Sequence, residues 1–320
     1  MINVDWIAER CMRIKPGDQV LVITDTYARS KSIAEALGNA AIRMGADVVT
    51  AAMMPRTHAG HEPPECIVAG MKQVQKVFSI TGTYNIDHTN ARAEATRLGV
   101  EFYEAWSDLP EDYFSIEISS DDLRRMELRS KAVAEKLTHA KKARITTELG
   151  TDLTMSLNGR KGLYIHPRSG DSIGTVPDYA EGLISPVEGT TAGRAVIDGS
   201  VQGWNYVLRV PLTLTVKAGK VVDISGRNED VERLKKTVSS DRNASNFVAE
   251  LGIGTSHTVP RDLRGWIWDY AILGTVHLAV GRNNDIGGET WSCLHNDLHL
   301  TKATIDLEGF KLLEEGVLSV

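Results

Sequence analysis

The feature that most constrains the fold is an alternation, through the first 145 residues, of short apolar runs with segments of helical spacing. Residues 18–25, DQVLVITD, form a β-branched run that predicts a buried strand. The segment after it places Ile33 and Leu37 on one helical face, and Gly45 follows as a C-cap. Strands that alternate with helices are typical of βαβ units. Residues 1–145 are therefore predicted to form an open α/β domain with a parallel sheet.

After this domain the pattern changes to short alternating segments separated by glycine-rich turns, which is typical of antiparallel β structure. The segment LTLTVKAGKVVDISG predicts a hairpin that turns at Ala218-Gly219. Helices are predicted over residues 231–238 and 243–251. Residues 146–320 are therefore predicted to form an α+β, metal-binding catalytic domain with a large antiparallel sheet, and a barrel-like form is one option for that sheet.

Charge, glycine spacing and cysteine content argue against several classes of function. The formal net charge of -6 is spread without long runs of one sign, so neither nucleic acid nor a membrane is expected as a partner. The residues after the first apolar run, TDTYARS, lack the glycines of a dinucleotide-binding turn. Cys11, Cys66 and Cys293 form no CxxC pair, so a disulfide framework is not expected. The N-terminus lacks the apolar core of a signal peptide, and a cytoplasmic location is predicted.

Histidines concentrate near the C-terminus. Of the nine histidines, His277, His295 and His299 lie within 23 residues. The segment LHNDL predicts a strand, and strand alternation puts His295 and Asp297 on one face, with His299 on the same face by parity. Imidazole nitrogen and carboxylate oxygen side by side are suitable ligands for zinc, cobalt, manganese or iron(II). A polar strand face without a metal ion is the alternative, because the motif is short.

Three further polar residues lie in or beside apolar segments. His277 lies in the apolar strand GTVHLAV, where a hydrogen-bonded core histidine is the alternative to a metal ligand. Glu250 lies in AELGIG, where a buried carboxylate needs a metal ion, an arginine or a helix end as its partner. Glu181 precedes a short apolar strand, and surface exposure is its alternative. With His295 and Asp297, these side chains supply three carboxylates and two imidazoles, a set typical of hydrolytic sites with one or two metal ions.

The motifs EGLISPVEGT, AELGIGTS, GTVHLAVG and HND, in this order, resemble the metallo-aminopeptidases of the aminopeptidase T type, and the resemblance covers most of the chain. It implies an N-terminal α/β domain, a larger β-rich domain and a homodimer. It also implies one or two divalent ions per chain, zinc, cobalt or manganese, bound by five residues: Glu181, Glu250, His277, His295 and Asp297.

The chain departs from the pattern of that family at two places. The family commonly has a tyrosine seven residues after the strand histidine, where this chain has Asn284. It often has an acidic pair upstream of that histidine, where this chain has Asp269-Tyr270. The first departure concerns a residue that assists the tetrahedral intermediate, and the second concerns a candidate ligand of a second metal ion.

Two functions are compatible with this site. The main prediction is hydrolysis of a small amide or a peptide N-terminus, in which Glu250 or Glu181 accepts the proton of a metal-activated water. The alternative is ring cleavage by a non-haem iron(II) dioxygenase acting on a hydroxylated aromatic or pyridine ring, since 2,5-dihydroxypyridine dioxygenase resembles the same family. His277, His295 and Asp297 would then form the facial triad of iron ligands. Glu250 stands where that dioxygenase has histidine, which favours hydrolysis.

Overall fold

The computed structural model describes residues 2–58, 60–82, 84–107 and 109–320. Its helices are a π-helix over Ile7–Cys11, α1 over Ala28–Arg43, α2 over Glu65–Met71, α3 over Asn90–Arg97, a 3-10 helix over Glu111–Ser115, α4 over Ser120–His139, α5 over Asn228–Val238 and a 3-10 helix over Ile267–Ala271. Its strands are β1 Gln19–Asp25, β2 Asp47–Met53, β3 Lys76–Thr81, β4 Glu101–Trp106, β5 Lys142–Thr146, β6 Asp152–Ser156, β7 Leu163–Ile165, β8 Gly174–Thr175, β9 Glu181–Ile184, β10 Ala192–Ile197, β11 Leu212–Lys217, β12 Lys220–Ser225, β13 Phe247–Gly254, β14 Val276–Gly281, β15 His295–Leu300, β16 Thr304–Leu307, β17 Phe310–Glu314 and β18 Val317–Leu318.

The contacts of the chain divide it into two compact units. The N-terminal unit contains Met1–Glu127 and Ile165–Tyr179, and the C-terminal unit contains Leu128–Tyr164 and Ala180–Val320. The domain boundary predicted between residues 145 and 146 stays a prediction, because contacts alone do not show which segment folds independently.

The N-terminal unit is built on a five-stranded parallel sheet with the strand order β2-β1-β3-β4-β8. The interior strand β1 is buried from Val20 to Asp25, as its continuous apolar run predicts. After α1, Gly45 has a φ of 90°, a left-handed conformation that glycine adopts without steric strain. The predicted parallel α/β architecture is confirmed.

The C-terminal unit contains two further sheets. The antiparallel eight-stranded sheet has the order β12-β11-β10-β6-β5-β16-β17-β18. Its two edge strands, β12 and β18, do not pair with each other, so the sheet is open. The described strands therefore do not support the barrel-like option. The five-stranded sheet has the order β15-β14-β13-β9-β7, and β9, β13, β14 and β15 are buried along their whole length. Polar side chains on these four strands therefore need partners other than water.

One apolar core packs the strands of the C-terminal unit together. Leu214 of the eight-stranded sheet and Leu251, Leu278 and Leu298 of the five-stranded sheet are all fully buried in it. Burial of each such side chain contributes about 1.5–3 kcal/mol to stability. The five-stranded sheet is thereby a rigid base for the polar residues that its strands carry. Among the described residues, no helix is both long and apolar enough to cross a membrane.

Two local predictions for this unit have different outcomes. Ala218 and Gly219 have φ values of 46° and 67°, so the predicted hairpin between β11 and β12 is confirmed. The helix predicted over residues 243–251 is wrong, because residues from Phe247 onward form β13, which pairs with β9 and β14. A short apolar run in a fully buried strand cannot be distinguished from a buried helix by periodicity alone.

Candidate metal centre

Three adjacent strands bring one histidine and two glutamates together. Glu181 begins β9, Glu250 lies in β13 and His277 lies in β14. The antiparallel register pairs Gly254 with Glu181 and Gly252 with His277. His277 Nε2 lies 2.9 Å from Glu181 Oε2 and 3.1 Å from Glu250 Oε1. One ligand atom of each of the three residues lies within 4.8 Å of the other two, a spacing at which they could share one metal ion.

The fourth strand, β15, extends this cluster. His295 Nε2 lies 3.3 Å from Asp297 Oδ1 and 3.5 Å from Glu250 Oε2. Glu250 therefore contacts His277 with one carboxylate oxygen and His295 with the other. The structure thus brings all five candidate residues, Glu181, Glu250, His277, His295 and Asp297, into one continuous series of contacts. Their role as metal ligands, and the catalytic role of the two glutamates, stay predictions.

The glycines of the Glu-Leu-Gly-Ile-Gly segment make room for this arrangement. A Cβ on Gly252 would lie 1.9 Å from His277 Nε2, so the imidazole occupies the space that any other residue would fill. A Cβ on Gly254 would lie 2.2 Å from the carbonyl oxygen of Ile272. Gly252 thus allows the close approach of the His277 side chain, and Gly254 allows that of the backbone at Ile272.

Burial governs the electrostatics of the cluster. The relative exposure is 3% for Glu181 and 1% for His277. Burial raises the pKa of the Glu181 carboxyl, although His277 opposes this effect. Burial alone would lower the pKa of His277. The negative charge of Glu181 and the hydrogen bonds to Glu181 and Glu250 have the opposite effect. Together they raise the pKa of His277 well above its ordinary value.

The donor set of this cluster fits a divalent metal ion. Imidazole nitrogens and carboxylate oxygens together suit zinc, manganese and iron(II). Three buried carboxylates lie near two imidazoles, and a divalent cation would offset their negative charge. His295 is also oriented as a ligand would be, because its Nδ1 lies 2.9 Å from the backbone oxygen of Arg282 and its Nε2 faces the carboxylates.

Two further buried polar residues, Tyr270 and His299, lie beside His277, and the sequence did not predict a role for either of them. The ring of Tyr270 packs edge-on against the rings of His277 and His299, with centroid separations of 5.5 Å and 5.3 Å. Burial lowers the pKa of His299 to about 3, and neither of its ring nitrogens has a hydrogen-bond partner among the described residues. A Cβ on Gly199 would lie 2.1 Å from His299 Nδ1. Strand parity indicated the face of His299, but no sequence signal placed Tyr270 beside it.

The chain has a parallel α/β unit and a β-rich unit, and adjoining strands of the β-rich unit carry buried imidazoles and carboxylates. This combination is that of an enzyme with a candidate metal centre. The model of the family described as NicX, 2,5-dihydroxypyridine 5,6-dioxygenase, matches residues 8–320, and the chain belongs to this family. A comparison with curated protein sequences finds no match.

Two solved structures have a similar fold. The 2,5-dihydroxypyridine dioxygenase of Pseudomonas putida KT2440 has a TM-score of 0.83 and 17% sequence identity, over 99% of this chain and 97% of that chain. Wild-type AmpT of Thermus thermophilus has a TM-score of 0.63 and 15% identity, over 99% of this chain and 98% of that chain. Identities this low show the fold alone. The resemblance to the aminopeptidase T family and to its dioxygenase relative is confirmed. The family match favours the alternative function, ring cleavage, over the main prediction of hydrolysis.

Proposed function

We propose that this chain is a metal-dependent dioxygenase that cleaves a hydroxylated aromatic or pyridine ring. Membership of the NicX family supports the proposal. That membership is the observation that carries the proposal. The site is compatible with it, because the two carboxylate oxygens of Glu250 contact the imidazoles of His277 and His295. Two histidines and one carboxylate around a single point are the donors of non-haem iron(II) oxygenases.

The residues of the chain have separable tasks in this proposal. His277, His295 and Glu250 would hold the ion, and Asp297 lies beside His295 as a further carboxylate. When bound, iron(II) supplies the activation of dioxygen and of the hydroxylated ring. Glu181 lies on β9, the strand beside that of Glu250, and its Oε2 lies 2.9 Å from His277 Nε2. We assign to Glu181 Oε2 the task of accepting the proton of a substrate hydroxyl group.

Burial gives the site a second property that ring cleavage requires. The four strands that carry the candidate ligands, β9, β13, β14 and β15, are buried along their length. Such surroundings exclude bulk water and strengthen electrostatic interactions inside the site.

A second candidate function is hydrolysis of a small amide or peptide, and the same glutamate favours it. Glu250 divides the cluster into two halves, one with Glu181 and His277 and the other with His295 and Asp297. A carboxylate that faces two such halves is typical of sites with two metal ions, in which the ions clamp the attacking and leaving groups. The fold similarity to AmpT is compatible with this candidate.

Metal content and oxygen consumption separate the two candidates. Metal-free protein is loaded anaerobically with Fe²⁺, Mn²⁺, Zn²⁺ or Co²⁺, and the ions per chain are counted by elemental analysis. We expect one Fe²⁺ per chain and dioxygen uptake with 2,5-dihydroxypyridine or a related hydroxylated ring. Two Zn²⁺ or Co²⁺ ions per chain, with release of nitroaniline from aminoacyl nitroanilides and no oxygen uptake, would instead establish the hydrolase.

Two variants test whether the activity belongs to this site. His295→Ala removes an imidazole of the cluster and is expected to abolish both metal retention and turnover. His139→Ala removes an exposed imidazole at the end of α4 and should leave both unchanged. The homodimer inferred from the resemblance remains a proposal, and light scattering of the purified chain would test it.

A further inference from the structure

We propose that Tyr270 is a positioning residue for the candidate metal centre. Its side chain contacts both the strand of His277 and the strand of Asp297. This inference rests on the metal site of the proposed function and not on the reaction at that site. Tyr270 lies where the aminopeptidase pattern often has an acidic residue.

The ring of Tyr270 fixes one side of the His277 imidazole. Tyr270 is fully buried, and its ring meets that of His277 at an interplanar angle of 88° with centroids 5.5 Å apart. It meets the ring of His299, the cross-strand neighbour of His277, at 73°. Edge-to-face packing at these separations is favourable beyond simple burial. The carboxylates of Glu181 and Glu250 hold the Nε2 side of this imidazole, and its Nδ1 has no hydrogen-bond partner among the described residues. Packing against Tyr270 therefore adds a second restraint on the rotation of the ring.

The hydroxyl group of Tyr270 reaches the other ligand strand. It donates a hydrogen bond of 3.4 Å to the backbone oxygen of Asp297 and accepts one of 3.4 Å from Ser200 Oγ. Both bonds are long, and each is therefore weak by itself. The same Asp297 oxygen accepts a bond of 2.9 Å from the backbone N–H of Gln202. These contacts fix the backbone from which the Asp297 carboxylate extends.

The backbone of Tyr270 is fixed in turn against β13, the strand of Glu250. Thr275 Oγ1 donates to the carbonyl oxygen of Ile272 at 2.8 Å and lies 3.2 Å from that of Tyr270. A Cβ on Gly254 would lie 2.7 Å from that same oxygen, so the 3-10 helix approaches β13 closely. Tyr270 thus touches β13, β14 and β15, which carry Glu250, His277 and Asp297. A residue with contacts to three ligand strands controls the distances between their ligands.

A purely structural role predicts a different result from a positioning role. A tyrosine that only fills the core would lower stability when it is replaced, but metal affinity would be unchanged. A positioning residue would alter metal affinity even when the substitution leaves the fold intact. Outer residues that orient metal ligands typically change affinity by about 10–100-fold when they are lost.

The experiment measures Mn²⁺ binding to the full chain by competition with a chelator, together with thermal unfolding of the metal-free protein. Tyr270→Phe removes only the hydroxyl, and we expect its Kd for Mn²⁺ to rise several-fold. Tyr270→Leu also removes the ring, and we expect a rise of about 10–100-fold. The matched control is Tyr103→Phe, which removes a buried hydroxyl bonded to Glu101 in the N-terminal unit. It should lower the unfolding temperature but leave the Kd unchanged.

The outcomes separate this inference from the proposed function. If both Tyr270 variants bind Mn²⁺ as tightly as the wild type while unfolding at lower temperature, Tyr270 is a core residue and the inference fails. If Tyr270→Leu does not fold, Tyr270→Phe and Ser200→Ala decide by the same measurement. Failure of the wild-type chain to bind Mn²⁺, Fe²⁺ or Zn²⁺ would overturn the metal site itself, and with it the proposed function.

Discussion

Gly252 lies directly opposite His277 on the neighbouring strand, and a Cβ on Gly252 would fall 1.9 Å from His277 Nε2. Gly252→Ala should therefore displace the imidazole from the carboxylates of Glu181 and Glu250. We expect a loss of at least tenfold in metal affinity and a decrease of about 1–3 kcal/mol in the free energy of unfolding. Chelator competition and urea denaturation measure the two effects.

Gly38→Ala is the matched control for that substitution. Gly38 lies inside α1, and an added Cβ would only make ordinary contacts of 3.6–3.9 Å with Thr50, Val48 and Val22. Replacing a helical glycine by alanine stabilises a protein by about 0.4–1 kcal/mol where the space permits. Metal affinity should not change. An equal loss of metal binding in both variants would show that the effect of Gly252→Ala is not local.

The position of Glu250 between two imidazoles predicts that it matters more for metal retention than Glu181 does. Glu250→Gln removes the charge that faces both His277 and His295, whereas Glu181→Gln removes a charge that faces His277. We expect Glu250→Gln to lose its metal during dialysis. Glu181→Gln should retain metal but lose turnover, because its proposed task is proton acceptance. Elemental analysis and a rate assay on the same samples test this order, and the reverse order would contradict our assignment of the two glutamates.

The buried carboxylate of Asp230 predicts a dependence of stability on pH. Arg227 donates two hydrogen bonds of 2.9 Å to this carboxylate, and Tyr206 donates one of 2.6 Å. These bonds lower the pKa of Asp230, and those from Arg227 have the largest effect. Because the pKa is lower in the folded than in the unfolded state, the stabilisation is complete above the ordinary aspartate value of about 3.9 and is lost as pH falls below it.

Asp230→Asn should accordingly cost about 1.5–3 kcal/mol at pH 7. The difference from the wild type should shrink between pH 4 and pH 2, as urea denaturation over that range would show. Asp152→Asn is the control, since Asp152 pairs with Arg144 at a site where both side chains are more than half exposed. Its effect should be much smaller at every pH. A constant difference between Asp230→Asn and the wild type across this range would argue against the charged pair as the cause.

Asp241 anchors the loop that leads into β15. Its carboxylate accepts hydrogen bonds of 2.7 Å from Ser292 Oγ, from the Cys293 N–H and from the Asn243 N–H. Burial would raise the pKa of Asp241, but the bonds from Ser292 and Cys293 outweigh it and hold that pKa well below its ordinary range. In Asp241→Ala we expect faster deuterium uptake over residues 288–294 in hydrogen exchange, because those donors lose their acceptor. Asp223→Ala, on the exposed side of β12, should leave the uptake of this loop unchanged.

Local patterns in the sequence predicted much of the fold. The strand β1, the end of α1 at Gly45 and the hairpin at Ala218-Gly219 follow from apolar runs and turn residues, which act over a few positions. The strand β13 was predicted as a helix, because a segment buried on both faces has no alternation. Its pairing with two distant strands, β9 and β14, overrode the local preference.

The sequence by itself determined which residue types are available for chemistry, and it placed His295 and Asp297 on one strand face. Only the tertiary structure decided that Glu250 lies between the two imidazoles, because that position depends on the register of two antiparallel ladders, β13–β14 and β14–β15. Contacts between residues far apart in the chain decided the place of Tyr270 as well. Register and packing are set by the free energy of the whole core, and no local segment contains that information.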